Sequence, residues 1–267
     1  MIVLIVLLIL YLLAIMPRMT GKPDVKPLLN RLYAHRGLHD NATDAPENSM
    51  RAFQKAVDAG YGIELDIQLT KDNLLVVFHD FDLKRICGVE GMVRDYTYEE
   101  LQRFKLCKSE ERIPLFADVL KLVNGKVPLI VEFKNESMDM SLCPIADELL
   151  KAYKGVYCME SFNPLCVHWY RKNRKEVVRG QLSEVFWKEG KDRRTLLYFG
   201  LQHLLFNFLA KPDFVAYDHH HPYMLSRVIC RKMYGNLAVA WTIRSKEELE
   251  RAKQHFDLYI FDSFIPE

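Results

Sequence analysis

The rhythm of hydrophobic and polar positions changes repeatedly along this chain. Residues 1–16, MIVLIVLLILYLLAIM, are apolar with nothing more polar than Tyr11. From residue 31 onward, runs with a period of two alternate with runs of helical period. IELDIQL (63–69) has the alternation of a strand, whose successive side chains leave opposite faces. PENSMRAFQKAVDAG (46–60) instead puts Met50, Phe53, Ala56 and Val57 on one face of a helix, with Asn48 or Ser49 as N-cap and Gly60 as its stop. Two capping boxes mark further helix starts: Thr97 with Glu100, and Ser245 with Glu248.

The other strand-like runs are RLYAH (31–35), VPLIVEFK (127–134), YCMESF (157–162), VVRGQL (177–182), DFVAYD (213–218), LAVAWTI (237–243) and DLYIFDS (257–263). LLVVFHD (74–80) follows 63–69 after only Lys71, Asp72 and Asn73. Parallel neighbours need a crossover of about a dozen residues or more, so this run is a hairpin excursion. Strands separated by helical patterns indicate parallel βαβ units. Eight of them in about 240 residues predict an α/β fold, the (β/α)8 TIM barrel, with a short hairpin insertion after strand 2.

Composition narrows the picture. The chain has 267 residues, 49% hydrophobic, with formal net charge +2. That balance and the lack of basic runs interleaved with aromatics exclude a nucleic-acid partner. The six cysteines show no CxxC pairing and are expected as free thiols. As a helix, residues 1–16 would span about 24 Å, against a hydrocarbon core of roughly 30 Å that thinning can match. No basic start and no A-x-A site accompany the run, so it reads as an uncleaved transmembrane anchor rather than a signal peptide. Residues 17–30, with Pro17, Gly21, Pro23 and Pro27, read as a linker, and 31–267 as the barrel domain. Arg18, Lys22, Lys26 and Arg31 put that domain on the cytoplasmic side of a single-pass membrane protein.

The polar residues that interrupt the strands gather at strand ends. His35 and Arg36 follow strand 1, Glu64 and Asp66 share one face of strand 2, His79 ends the hairpin, Glu132 and Lys134 end strand 3, and Trp241 lies late in strand 7. Barrel active sites are built from such C-terminal strand ends. Two carboxylates held together disfavour joint ionisation unless something cationic sits between them. A balanced buried network of Glu64 with Arg36 or Lys134 is the structural alternative, but it leaves the two histidines unexplained. The three histidines of DHHHP (218–222) cannot share one strand face and read as a loop.

AHRG (34–37), PENS (46–49), ELDIQLTKD (64–72), VVFHD (76–80), VEFK (131–134), SF (161–162) and WTI (241–243), in this order, resemble the glycerophosphodiester phosphodiesterase family over nearly the whole chain after the anchor. The resemblance implies a (β/α)8 barrel, one divalent metal ion, and hydrolysis of glycerophosphodiesters to glycerol 3-phosphate and an alcohol. It makes Glu64, Asp66 and Glu132 metal carboxylates, His35 and His79 the proton-transfer pair, and Arg36 and Lys134 phosphate contacts, with Trp241 lining the pocket. His79 is also a candidate metal ligand, and which histidine is acid and which base stays open. An oxygen-rich donor set favours Ca²⁺ or Mg²⁺ over zinc. The expected partners are a small glycerophosphodiester and, through residues 1–16, a membrane. Two departures from the family pattern, Arg244 after WTI and DSFIP at 262–266, fall where the alcohol would be recognised. The rival functions are lysophospholipase D-like cleavage of lysophospholipids at the membrane and a non-catalytic barrel that binds phospholipid headgroups.

Overall fold

In the computed structural model, which describes residues 1–186 and 195–266, nine strands are found among the described residues. They are β1 (Leu32–His35), β2 (Gly62–Leu69), β3 (Leu75–Val77), β4 (Leu129–Phe133), β5 (Tyr157–Ser161), β6 (Arg179–Ser183), β7 (Phe214–Asp218), β8 (Leu237–Ile243) and β9 (Leu258–Phe261). β1 pairs in parallel with both β2 and β9, so the parallel sheet closes on itself in the order β1-β9-β8-β7-β6-β5-β4-β2. This is the expected TIM barrel. β3 folds back antiparallel on β2, Ile67 opposite Val77, as the short connection requires.

The helices are α1 (Ile2–Ile15), α2 (Met50–Asp58), α3 (Lys84–Cys87), α4 (Tyr98–Leu101), α5 (Phe116–Val123), α6 (Leu142–Ala152), α7 (Pro164–Asn173), α8 (Leu196–Gln202), α9 (Asn207–Ala210), α10 (Leu225–Lys232) and α11 (Lys246–Lys253). Ser49 caps α2, accepting from the Ala52 N–H, and Thr97 and Glu100 form the expected box on α4. Only half of the second box forms: Ser245 accepts from the Glu248 N–H, but the Glu248 carboxylate reaches one residue too far, to the Arg244 N–H at 2.7 Å. The insertion after β2 is more than a hairpin. Val76, Phe78, Leu83, Ile86, Val93, Leu101, Leu106 and Ile113 pack into a small core of its own.

Alternation along the strands sorts the barrel into two layers. One set of side chains packs under the helices, among them Ile63, Leu65, Ile67, Val131 and Met159. The other fills the interior: Tyr33, Ile130, Cys158, Phe214, Ala216, Val239, Leu258 and Ile260. Two interior positions are glycine because a ring occupies the space a side chain would need. A Cβ on Gly62 would lie 2.6 Å from the Tyr33 ring, and one on Gly180 would overlap Phe214. Leu28 closes the bottom of this core, and its carbonyl accepts from the Tyr33 hydroxyl at 2.8 Å.

The N-terminal run forms a helix, but not the span expected of it. α1 has 14 residues, about 21 Å long at 1.5 Å per residue. Among the described residues, no helix is long and apolar enough to cross a membrane. The last turn of α1 belongs to the barrel. Its terminal carbonyls, which a helix leaves without intrahelical donors, accept from Tyr234 Oη (Leu12, 3.0 Å), Asn207 Nδ2 (Ile15, 3.0 Å) and Lys211 Nζ (Met16, 3.0 Å). Ile15 is fully buried, whereas Met1 to Leu10 are all exposed.

Candidate active site at the barrel mouth

Strand register brings the expected carboxylates together. Glu64 lies beside His35 of β1, and Asp66 beside Glu132 of β4. All three carboxylates are buried, and one oxygen from each lies within 4.8 Å of the others. Burial, then repulsion from Asp66 and Glu132, raises the Glu64 carboxyl well above the usual carboxylate range. Burial also raises Glu132, although Lys134 works against it. At Asp66, burial is outweighed by His79, Lys134, Arg36 and the Asn48 amide, and the carboxyl is held low.

Two cations face this group. Lys134 lies just past β4, where its N–H extends the ladder to the Ile67 carbonyl at 3.0 Å. Its ammonium sits 2.9 Å from Glu132 Oε1 and 3.7 Å from Asp66 Oδ1. Arg36 turns with φ +56°, so that its N–H donates to Glu64 Oε2 at 3.2 Å while its guanidinium reaches back to Asp66 at 3.6 Å. That guanidinium is shared, because Nη1 also donates to Glu47 at 2.6 Å. Three carboxylates therefore face Lys134 and a shared Arg36, and the balanced network considered from sequence does not close. Asp66 Oδ1 is buried with no hydrogen-bond partner. An all-oxygen donor set with excess negative charge and an unsatisfied ligand atom fits a hard divalent cation.

Both histidines are present at this mouth, each tied by Nδ1 to a carboxylate. His35 Nδ1 is 3.2 Å from Asp262 Oδ2, and its Nε2 is 4.0 Å from Glu64 Oε2. Burial and Arg36 lower His35 to about 4, even with Asp262 opposing. Its neutral imidazole thus donates from Nδ1 and presents a bare Nε2 to the carboxylates. His79 follows β3, with Nδ1 2.6 Å from Asp80 Oδ1. Gln68 brackets it, donating from Nε2 to the carbonyls of Phe78 (2.7 Å) and Asp80 (2.8 Å). No His79 nitrogen belongs to the clustered carboxylate oxygens. Trp241 lies across the mouth in edge contact with Phe162, centroids 5.6 Å apart, and its buried Nε1 has no hydrogen-bond partner.

Sequence reasoning missed three supporting groups, Arg85, Asp262 and Glu160. Arg85 bonds Asp80 at 2.6 Å and both Glu47 oxygens at 2.7 and 2.8 Å, so one charge network runs from His79 to Arg36. Asp262 accepts from His35, and its other oxygen stands 3.2 Å from His39 Nε2. Glu160 lies beside Glu132 in the barrel interior, its Oε2 without a hydrogen-bond partner and its carboxyl raised by burial and by Glu132. Position on the inner face of β5 was the one signal for Glu160. DHHHP forms turns after β7, as expected of a loop, and all six cysteines are free.

The chain has known counterparts. The model of the glycerophosphoryl diester phosphodiesterase family matches residues 35–257, a span that holds every expected site residue. The chain belongs to this family. A glycerophosphodiester phosphodiesterase of Caldanaerobacter subterraneus subsp. tengcongensis is 40% identical over 233 residues, 82% of this chain and 87% of that protein. One from Bacillus altitudinis is 45% identical over 116 residues, 40% of this chain. That match spans 46% of the relative, under half its length. Among solved structures, the phosphodiesterase of Oleispira antarctica in complex with its product sn-glycerol-3-phosphate shares the fold. Its TM-score is 0.71 at 21% identity, covering 88% of this chain and 93% of that one.

Proposed function

We propose that this family member hydrolyses glycerophosphodiesters to glycerol 3-phosphate and an alcohol, with one divalent cation, Ca²⁺ or Mg²⁺, held by Glu64, Asp66 and Glu132. The observation that carries the reading is the meeting of that carboxylate cluster with Arg36, Lys134, His35 and His79 at one end of the barrel. When bound, the cation neutralises phosphoryl oxygens as their charge grows. Arg36 and Lys134 bind those same oxygens and stabilise the transition state without reorganising, being fixed by Glu47 and Glu132. His35, neutral and backed by Asp262, takes the proton of the attacking glycerol hydroxyl at Nε2, and water then opens the resulting cyclic phosphate to glycerol 3-phosphate. His79, backed by Asp80, gives a proton to the departing alkoxide. Trp241 and Phe162 form the wall against which the alcohol lies.

A second reading concerns lipid. Exposed apolar side chains from Met1 to Leu10 support membrane association of residues 1–16, with the barrel on the cytoplasmic side of Arg18 and Lys22, and with it lysophospholipids as substrates. The test uses the full chain in mild detergent. Release of glycerol 3-phosphate from glycerophosphocholine and glycerophosphoethanolamine is followed with Mg²⁺, Ca²⁺ or EDTA. Metal-dependent turnover, lost in Glu64→Gln, is expected. Turnover confined to lysophospholipid micelles would select the second reading, and headgroup binding without turnover of either substrate would sink both.

A further inference from the structure

A second cluster of ligating side chains stands at the mouth, apart from the carboxylates. His219 and His220 follow β7, and Glu248 lies in the first turn of α11; one ligand atom from each lies within 4.8 Å of the others. His219 is the informative member. Its side chain is 7% exposed. Its Nε2 is buried with no hydrogen-bond partner and points at Glu248 Oε2, 3.4 Å away. A buried ring nitrogen left without a hydrogen-bond partner beside a carboxylate is what a metal-ligating histidine presents.

The His219–Glu248 spacing also fits. Around a tetrahedral zinc ion with ligands at about 2.0–2.1 Å, neighbouring donors stand about 3.3–3.4 Å apart. His220 is oriented in turn by Asp218, 2.7 Å from its Nδ1, a carboxylate backing the imidazole. Glu248 Oε2 is steadied by the Arg244 N–H at 2.7 Å. We propose that His219, His220 and Glu248 bind a divalent cation of the zinc class, at a site distinct in chemistry from the all-oxygen cluster. Two imidazoles and a carboxylate select zinc, cobalt or nickel over Mg²⁺ and Ca²⁺. The ion would clip the loop after β7 to the start of α11. Trp241 is joined to that loop through the His219 N–H to Trp241 carbonyl bond at 3.1 Å.

The experiment is a Zn²⁺ titration by calorimetry of the full chain in detergent, stripped by chelator and then held in excess Mg²⁺. One equivalent of Zn²⁺ that Mg²⁺ does not displace is expected in the parent and in Glu64→Gln. Its affinity should fall at least about tenfold in His219→Ala and in Glu248→Gln. Co²⁺ in its place should give the strong visible absorption of a four-coordinate ion, lost in the same two variants. Unchanged affinity in both variants overturns the proposal, as does loss of the equivalent in Glu64→Gln or no binding at all. Should His219→Ala fail to fold, Glu248→Gln, which keeps its shape, decides alone.

Discussion

The two sides of the barrel mouth are built on opposite principles. Over β1, β2 and β4 almost every inward group is charged and tied to another charge, from His79 through Asp80, Arg85 and Glu47 to Arg36 and Asp66. Beside it, the chain just past β5 and the end of β8 present Phe162 and Trp241, held by edge-to-face packing. A charged site must be over-determined, because an unpaired charge in low dielectric is costly. An aromatic wall needs only shape. On the proposed function, the charged side would take the phosphodiester that all substrates share, and the aromatic side the alcohol that distinguishes them.

The largest effect should come from the charged side. Glu64→Gln or Glu132→Gln should lower metal-dependent turnover about a thousandfold or more, measured as glycerol 3-phosphate release across a Mg²⁺ series. Wild-type rates from either variant at saturating Mg²⁺ would break the division. Next, Asp262→Asn should lower kcat about ten- to a hundredfold at nearly unchanged KM, since it unbacks His35 without touching the phosphate contacts. Partial recovery in Asp262→Glu separates orientation from folding. On the aromatic side, Trp241→Ala should raise KM about tenfold and move kcat less, with the size depending on the alcohol. An equal loss for every headgroup would mean that the wall does not discriminate.

Two smaller effects concern stability. Gly180→Ala pushes a methyl into the Phe214 ring and should cost about 1–3 kcal/mol, read from urea melts. Glu47 sharpens the comparison through pH. Burial would raise its carboxyl, but Arg85 and Arg36 lower it from 4.5 to about 2. A depressed carboxylate contributes stability that is complete above its unfolded value and is lost as pH falls through its folded one. The parent should therefore lose stability between about pH 4.5 and about pH 2 more steeply than Glu47→Gln; parallel curves would show that the network contributes nothing.

What could be read from sequence followed from period and order. All eight barrel strands were legible because each carries alternation or an apolar run between helical segments, and the β3 hairpin because three residues cannot make a parallel crossover. Glu64, Asp66 and Glu132 were legible from in-strand spacing that fixes their face. Asp262 was not: its bond to His35 spans 227 residues and exists only because β9 closes on β1. Arg85 was hidden for a similar reason, since the insertion's own core aims it at Glu47. The apolar run 1–16 was legible as a helix but not as one tied to the barrel, because nothing local shows that the barrel supplies hydrogen-bond donors to its last turn.

That last turn has a mechanical consequence. A helix whose final carbonyls are held by Tyr234, Asn207 and Lys211 is a bracket rather than a leash. It cannot swivel independently of the body it is bolted to. Whatever grips residues 1–10 therefore also fixes the direction in which the mouth opens, and how a substrate must arrive.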